Sequence, residues 1–300
     1  MSKNTKDLYF ENLHVSSGID FFKNQILKTH KNLKLRYDIN KPCVFFGIYN
    51  KIDVNLIKNH KSYGMIIFGG SDVLYKFVYE FIKKLDYNRF VLISQSKWIT
   101  QDLKKYGLKS YQVPWYSLDK SKFTPTKKGN KVYAYCPNSN PSFYRMDIIK
   151  KIKSMTKYDI IIGDGTFDYS EMPNIYSQCF IGLRLLHHDG LGSTVQELGL
   201  MGIKCLHNGD TPSGISYNNT QDILNAINNE AKSIGTTDYK LAESVDKFLT
   251  LNSNFFKISN YFKNLVNQNS QIKSQFRELI HVKNSETLHI TRKTNKLFDL

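Results

Sequence analysis

This sequence predicts two doubly wound α/β domains with a cleft between them, on three observations. Apolar runs of strand length alternate with amphipathic helical patterns along most of the chain. The series stops at WYSLDKSKFTPTKKGN (115–130), which is polar and basic and holds Pro and Gly, and then starts again. A strand, a glycine-bearing loop, a helix and a further strand follow one another over SQCFIGLRLLHHDGLGSTVQELGLMGIKCLHNG (177–209).

In order, Ser17 and Asp20 form a capping pair ahead of Ile19, Phe22, Ile26 and Leu33, which predicts a helix near 17–34. CVFFGIY (43–49) and MIIF (65–68) read as strands, the second closed by Gly69-Gly70-Ser71. Asp72 caps a helix whose face carries Leu74, Phe77, Val78, Phe81, Ile82 and Leu85. RFVLIS (89–94) is a strand, a helix then ends at Gly107, and Tyr111-Gln112-Val113 is a short strand. After the linker, KVYAYC (131–136), DIIIG (159–163), FIGLRLL (180–186) and IKCLHN (203–208) are strands. Helices fall at 143–155, 171–178, 192–201 and 218–231. The expected division is 1–122, 123–254 and a helical tail over 255–300 that crosses back toward the first domain. The first domain is short of strands, with about four clear ones by pattern.

Composition excludes several classes. An apolar share of 41% is that of a folded chain, not a disordered one. The formal net charge of +16 attracts phosphates, whether of a nucleotide, an anionic lipid or a nucleic acid, without choosing among them. Cys43, Cys136, Cys179 and Cys205 sit in or beside apolar runs, with no C-x-x-C pair and no zinc spacing. Buried free thiols fit a reducing, cytoplasmic setting. The N-terminus MSKNTKDLYFEN has no apolar signal core, and no run approaches the ~20 apolar residues of a membrane span.

The candidate site centres on Asp189 and Glu197, eight positions apart across the loop-to-helix junction. Gly190, Leu191 and Gly192 form a loop whose backbone can approach a ligand closely. Ser193 and Thr194 open a helix, whose first amides and dipole favour a phosphate. Glu197, in the second turn, is placed to accept two ribose hydroxyls; the alternative is a surface Glu on an ordinary helix. Arg184 stands alone in an apolar strand and needs a partner, either an acid or a phosphate. Tyr144 and Arg145 begin the helix after the second domain's first strand and belong to the same candidate set, with Lys150 and Lys151 as further charges. His188, beside His187, is a candidate for sugar contact. In the first domain, Gly69, Gly70, Ser71 and Asp72 make a turn that either caps a helix or meets an acceptor or phosphate.

Asp189-GLGSTVQ-Glu197-LGLMG-IKCL resembles the signature of retaining GT-B glycosyltransferases of the large family 4 type: an acid, seven residues, Glu, then a small-residue turn and a strand. The resemblance covers about 175–230. It implies two Rossmann-like domains, Glu197 on the donor ribose, and Asp189 with Gly190 at the transferred sugar. The usual first acid is Glu, where this chain has Asp. The Gly-Ser-Asp turn at 70–72 is similar to one that faces the cleft in several such enzymes. The family's Gly-Arg and Lys-Gly for the diphosphate have no counterpart near Pro137-Asn-Ser-Asn-Pro141.

The implied activity is transfer of a hexose from a UDP- or GDP-sugar to a glycan, lipid-linked or protein acceptor. No Asp-x-Asp pair is present, so neither a metal nor another cofactor is expected. Phosphate-loop, H-E-x-x-H and G-x-S-x-G motifs are also absent. Two other readings remain: an epimerase or hydrolase of the same layout, and a basic protein that binds nucleic acid or anionic membrane. Lysine–aromatic pairs such as Lys76-Phe77 and Lys157-Tyr158 fit helix faces better than base-stacking platforms, which disfavours nucleic acid. Peripheral contact with an anionic membrane remains compatible with the charge.

Overall fold

The computed structural model describes residues 9–262 apart from 118 and 253. Its first half runs β1 (Asn12–Val15), α1 (Lys23–Thr29), β2 (Lys34–Leu35), β3 (Cys43–Phe46), α2 (Lys51–Asn59), β4 (Gly64–Ile67), α3 (Lys76–Ile82), β5 (Phe90–Ser94), α4 (Lys97–Lys105) and β6 (Tyr111–Gln112). The second half runs β7 (Lys131–Tyr135), α5 (Met146–Met155), β8 (Ile160–Gly163), α6 (Met172–Ser177), β9 (Cys179–Leu183), α7 (Ser193–Leu200), β10 (Lys204–Leu206), β11 (Gly214–Ile215), α8 (Thr220–Glu230) and α9 (Tyr239–Leu249). The sheets have the orders β2-β1-β3-β4-β5-β6 and β11-β10-β9-β7-β8, parallel throughout.

Each sheet reverses its winding once, between β1 and β3 in the first and between β7 and β9 in the second. Open parallel sheets bind ligands beyond the carboxyl ends of their strands at that reversal. The two reversals face one cleft, lined from the first sheet by residues following β1, β3 and β4 and from the second by residues on or after β7, β8 and β9.

The first sheet has six strands where the pattern shows about four. β1 escapes periodicity because Asn12 and His14 interrupt it, yet it is a buried strand. Asn12 donates to Pro42 O at 2.8 Å, and His14 Nε2 meets Asp53 Oδ1 at 2.9 Å. Paired polar groups can occupy a core strand at little cost. The expected helix over 17–34 is also corrected. A 3₁₀ segment (Ser17–Phe22) kinks at Ile19 (φ −133°, ψ 29°), α1 stops at Thr29, and the chain returns as β2. α2, with a capping box between Asn50 and Asp53, and α9, capped by Asp238, form where no helix is expected.

The stretch read as a linker is anchored in both domains. Trp115 lies in the first core with Phe46 and Phe255, whereas Tyr116 and Phe123 lie in the second with Tyr176. After α9 the chain returns to the first domain: Phe10 N donates to Phe256 O at 2.9 Å, and Phe255, Phe256 and Tyr261 pack in its core. Residues 263–300 lie outside the described ones. His30 stacks on Trp115 (centroids 4.2 Å, 22°), and Phe256 meets it edge-on. Trp115→Ala is therefore expected to cost about 3–5 kcal/mol, read as the shift of the urea midpoint at unchanged slope. All four cysteines are buried and unpaired. Among the described residues no helix is long and apolar enough to cross a membrane.

Candidate active site

The cleft has a volume of about 500 Å³. Of the residues singled out by sequence, Gly69, Gly70, Ser71, Tyr144, Arg184, His188, Asp189, Gly190, Leu191, Gly192, Ser193, Thr194 and Glu197 line it; Arg145 and Asp72 do not.

Backbone meets backbone across the cleft. A Cβ on Gly190 would fall 2.9 Å from Gly69 O and 3.4 Å from Gly70 Cα, so only glycine fits there. Gly70 itself has φ +139°, a conformation that other residues resist. Asp72 sets this turn from beneath. Its carboxylate accepts from the amides of Ile48, Gly69, Gly70 and Val73, and burial pushes its pKa up to about 6. Those four bonds hold it beneath the turn, outside the cleft lining. Arg145 also lies outside that lining. Its guanidinium bonds His187 Nε2 at 2.7 Å and the Asp147 carboxylate, outside the cleft lining.

Asp189 and Arg184 form a buried bidentate pair, Nε to Oδ2 at 2.5 Å and Nη2 to Oδ1 at 3.1 Å. Of the two partners open to Arg184 in the sequence, the acid is the one it takes. Tyr135 and Tyr144 flank the guanidinium, with ring centroids at 4.7 and 5.8 Å. Asp189 Oδ1 also accepts from Gly190 N, and Oδ2 lies 3.3 Å from His207 Nε2. Burial alone would raise this carboxyl, but Arg184 and His207 outweigh it and hold it well below the usual carboxylate range. Both oxygens accept hydrogen bonds from the protein, which ties Asp189 to the loop it heads at the edge of the cleft.

Glu197 contrasts with it. It is 3% exposed, not on the surface, and its recorded hydrogen bond is from Tyr176 OH to Oε2 at 2.8 Å. Burial pushes its pKa up to about 7, against the Tyr176 bond and the charge of Arg184, which pull it down. The hydroxyls of Tyr116 and Tyr169 are buried without partners among the described residues, and both phenols feel the Glu197 charge. α7 begins at this point. Val195 and Gln196 amides bond Gly192 O, whereas those of Ser193 and Thr194 have no acceptor among the described residues. Among the described residues the lining holds one Arg and no Lys, so these amides are its main resource for an anion.

Sequence reasoning missed Tyr133, Tyr135, Tyr169, Tyr176 and His207. The signal for two of them was present: Tyr133 and Tyr135 are two apart on β7 and so share its cleft face. Among the described residues no three His, Cys, Asp or Glu side chains converge as metal ligands.

No family model matches the chain, and no curated protein matches it. Sucrose-phosphate synthase from Thermosynechococcus elongatus superposes with a TM-score of 0.54 over 81% of this chain and 74% of that one, at 10% identity. The fold is GT-B. A point mutant of S. aureus TarM, solved with fondaparinux, alpha-GlcNAc-glycerol and UDP, gives a TM-score of 0.42 at 10% identity over 87% of this chain and 59% of that one. The Glycosylation Associate Protein (Gap123) complex from Streptococcus agalactiae gives 0.43 at 13% over 83% and 58%. The GT-B architecture accounts for the cleft between facing sheet reversals and for the placement of α7 at its edge.

Proposed function

We propose that this GT-B chain is a glycosyltransferase, moving a hexose from a nucleoside diphosphate sugar to an acceptor hydroxyl. The observation that carries the reading is Glu197: a buried carboxyl with one donor among the described residues, beside a helix start whose first amides lack acceptors there, at the reversal of the second sheet. A ribose supplies two hydroxyl donors for such a carboxyl, and a diphosphate supplies acceptors for the amides.

In this mechanism the diphosphate leaves first, and the α7 amides stabilise its growing charge. The acceptor hydroxyl, delivered past the Gly69–Gly70 turn, then traps the oxocarbenium-like sugar and gives its proton to the departing diphosphate. Asp189 forms no covalent intermediate, because Arg184 and the Gly190 amide occupy its oxygens. Retention is what the resemblance implies, and without a covalent intermediate it requires departure and attack on one face of the sugar. The donor base (uracil or guanine), the sugar and the acceptor class (glycan, lipid-linked or protein) belong to this proposal, as does chemistry without a metal cofactor.

Isothermal titration with UDP, GDP and dTDP tests it. One nucleotide should bind wild type, Glu197→Ala should lose at least tenfold in affinity, and EDTA should change neither result. Absence of all nucleotide binding, or full affinity in Glu197→Ala, contradicts the site. Conversion of the donor without acceptor would instead indicate an epimerase or hydrolase.

A further inference from the structure

We infer that Trp98 and Asp102, on α4 of the first domain, are positioning residues that hold the 187–190 loop at the sugar end of the second domain's site. The inference rests on the nucleotide-sugar reading above. Neither side chain lines the cleft, and neither belongs to a hydrophobic core. Both reach across to the other domain.

The contacts converge on two loops, those after β9 and β10. Asp102 Oδ2 lies 2.8 Å from His188 Nε2, while its other oxygen takes Lys105 Nζ. Ser96, the cap of α4, donates from Oγ to Asp189 O at 2.9 Å. Trp98 meets His207 edge to face (5.2 Å, 89°) and lies tilted 6.3 Å from His188. At the outer margin Lys97 Nζ meets Asp210 Oδ1 at 2.9 Å.

The His207 ring connects this grip to the buried ion pair. Gly209 N donates to His207 Nδ1 at 3.2 Å, and Nε2 of the same ring lies 3.3 Å from Asp189 Oδ2 without completing a hydrogen bond. Trp98 packs on that ring and fixes its plane. One helix of the first domain thus orients His188 directly and Asp189 through His207. Among the described residues no hydrogen bond, ion pair or ring contact joins Trp98 or Asp102 to the nucleotide end, at Glu197 and the α7 amides. The second domain therefore has its nucleotide elements in place by itself, but needs α4 to set its sugar elements. Selectivity for the sugar is in this way coupled to contact between domains.

The test separates the two ends of the donor. Affinities for UDP and GDP and for their hexose conjugates are measured on wild type, Asp102→Ala, Asp102→Asn, Trp98→Ala and Trp98→Phe. Asp102→Ala and Trp98→Ala should keep the free-nucleotide affinity within about twofold and lose roughly tenfold for the conjugate. Asp102→Asn retains an acceptor for His188 and Trp98→Phe retains a ring for His207, so both should recover most of the loss. Unchanged conjugate affinity in the Ala variants, or equal loss of nucleotide and conjugate, overturns the inference. A second readout needs no ligand: the distance between spin labels at Lys58→Cys and Lys151→Cys, on opposite domains. Its distribution should broaden in Asp102→Ala, and an unchanged distribution overturns the inference. Failure of wild type to bind any nucleotide would remove the functional reading, and the label distances would then decide the latch.

Discussion

Glu197→Gln is expected to weaken nucleotide binding about tenfold and yet gain stability relative to wild type as the pH rises. Glu197 has its folded pKa raised to about 7 by burial, above its ordinary value of 4.5. The folded chain therefore binds a proton that the unfolded chain has released between those values. Stability from this group is fully present below about 4.5 and is lost as the pH rises through about 7. The difference amounts to something on the order of 3 kcal/mol at pH 8. Gln cannot ionise, so its stability relative to wild type should improve by about that much between pH 5 and pH 8. For a chain of this size that corresponds to several degrees in melting midpoint, at roughly 2–4 °C per kcal/mol. Binding moves the other way, because the amide offers one acceptor and two donors where a ribose needs two acceptors. Parallel pH profiles of the two melting midpoints would contradict the buried, ligand-awaiting carboxyl.

Asp189→Asn is expected to be the most destabilising isosteric change in the cleft. It removes the negative partner of Arg184, whose side chain is 10% exposed, and leaves the guanidinium buried without a counter-charge. Breaking one side of a buried pair costs about 3–5 kcal/mol. Asp189 has a depressed pKa, so its contribution is present above the ordinary carboxylate value and is lost as the pH falls through the folded one. The gap between wild type and Asp189→Asn should therefore be fully open at pH 7 and close in strong acid. Gly192→Ala attacks the same pair from outside. Its Cβ would fall 2.6 Å from Asp189 Oδ2 and 2.7 Å from Arg184 Nε, so loop and pair must move. Both variants should lose conjugate binding. Urea melts giving wild-type stability for Asp189→Asn at pH 7 would show that the pair does not hold the loop.

The elements most legible in the sequence are those in which local chemistry and tertiary role agree. The Gly192–Glu197 junction could be read because glycine, Ser193 and Thr194 mark a helix start, and Val195 and Leu198 mark its buried face. Strands β3, β4, β5, β7 and β9 are apolar because both faces of a parallel sheet are covered. β1 could not be read, since its polar residues are satisfied by Pro42, Arg36 and Asp53, which lie well beyond it in the chain. Trp115, Tyr116 and Phe123 were hidden by the lysines around them. Likewise, the phenols near Glu197 come from Tyr116, Tyr133, Tyr169 and Tyr176, which only folding brings together. Arg184 shows a different limit: its need for a partner was plain, but the choice between acid and phosphate was three-dimensional.

The pH dependence of donor binding tests the central claim most directly. A nucleotide sugar is the right probe, because its diphosphate diester lacks the terminal phosphate group that titrates near pH 6. Ribose hydroxyls stabilise the ionised form of Glu197, so binding should release a proton, and affinity should fall about tenfold per pH unit below 7. Binding of equal strength at pH 5.5 and pH 8, with no proton released, would place the donor somewhere other than Glu197.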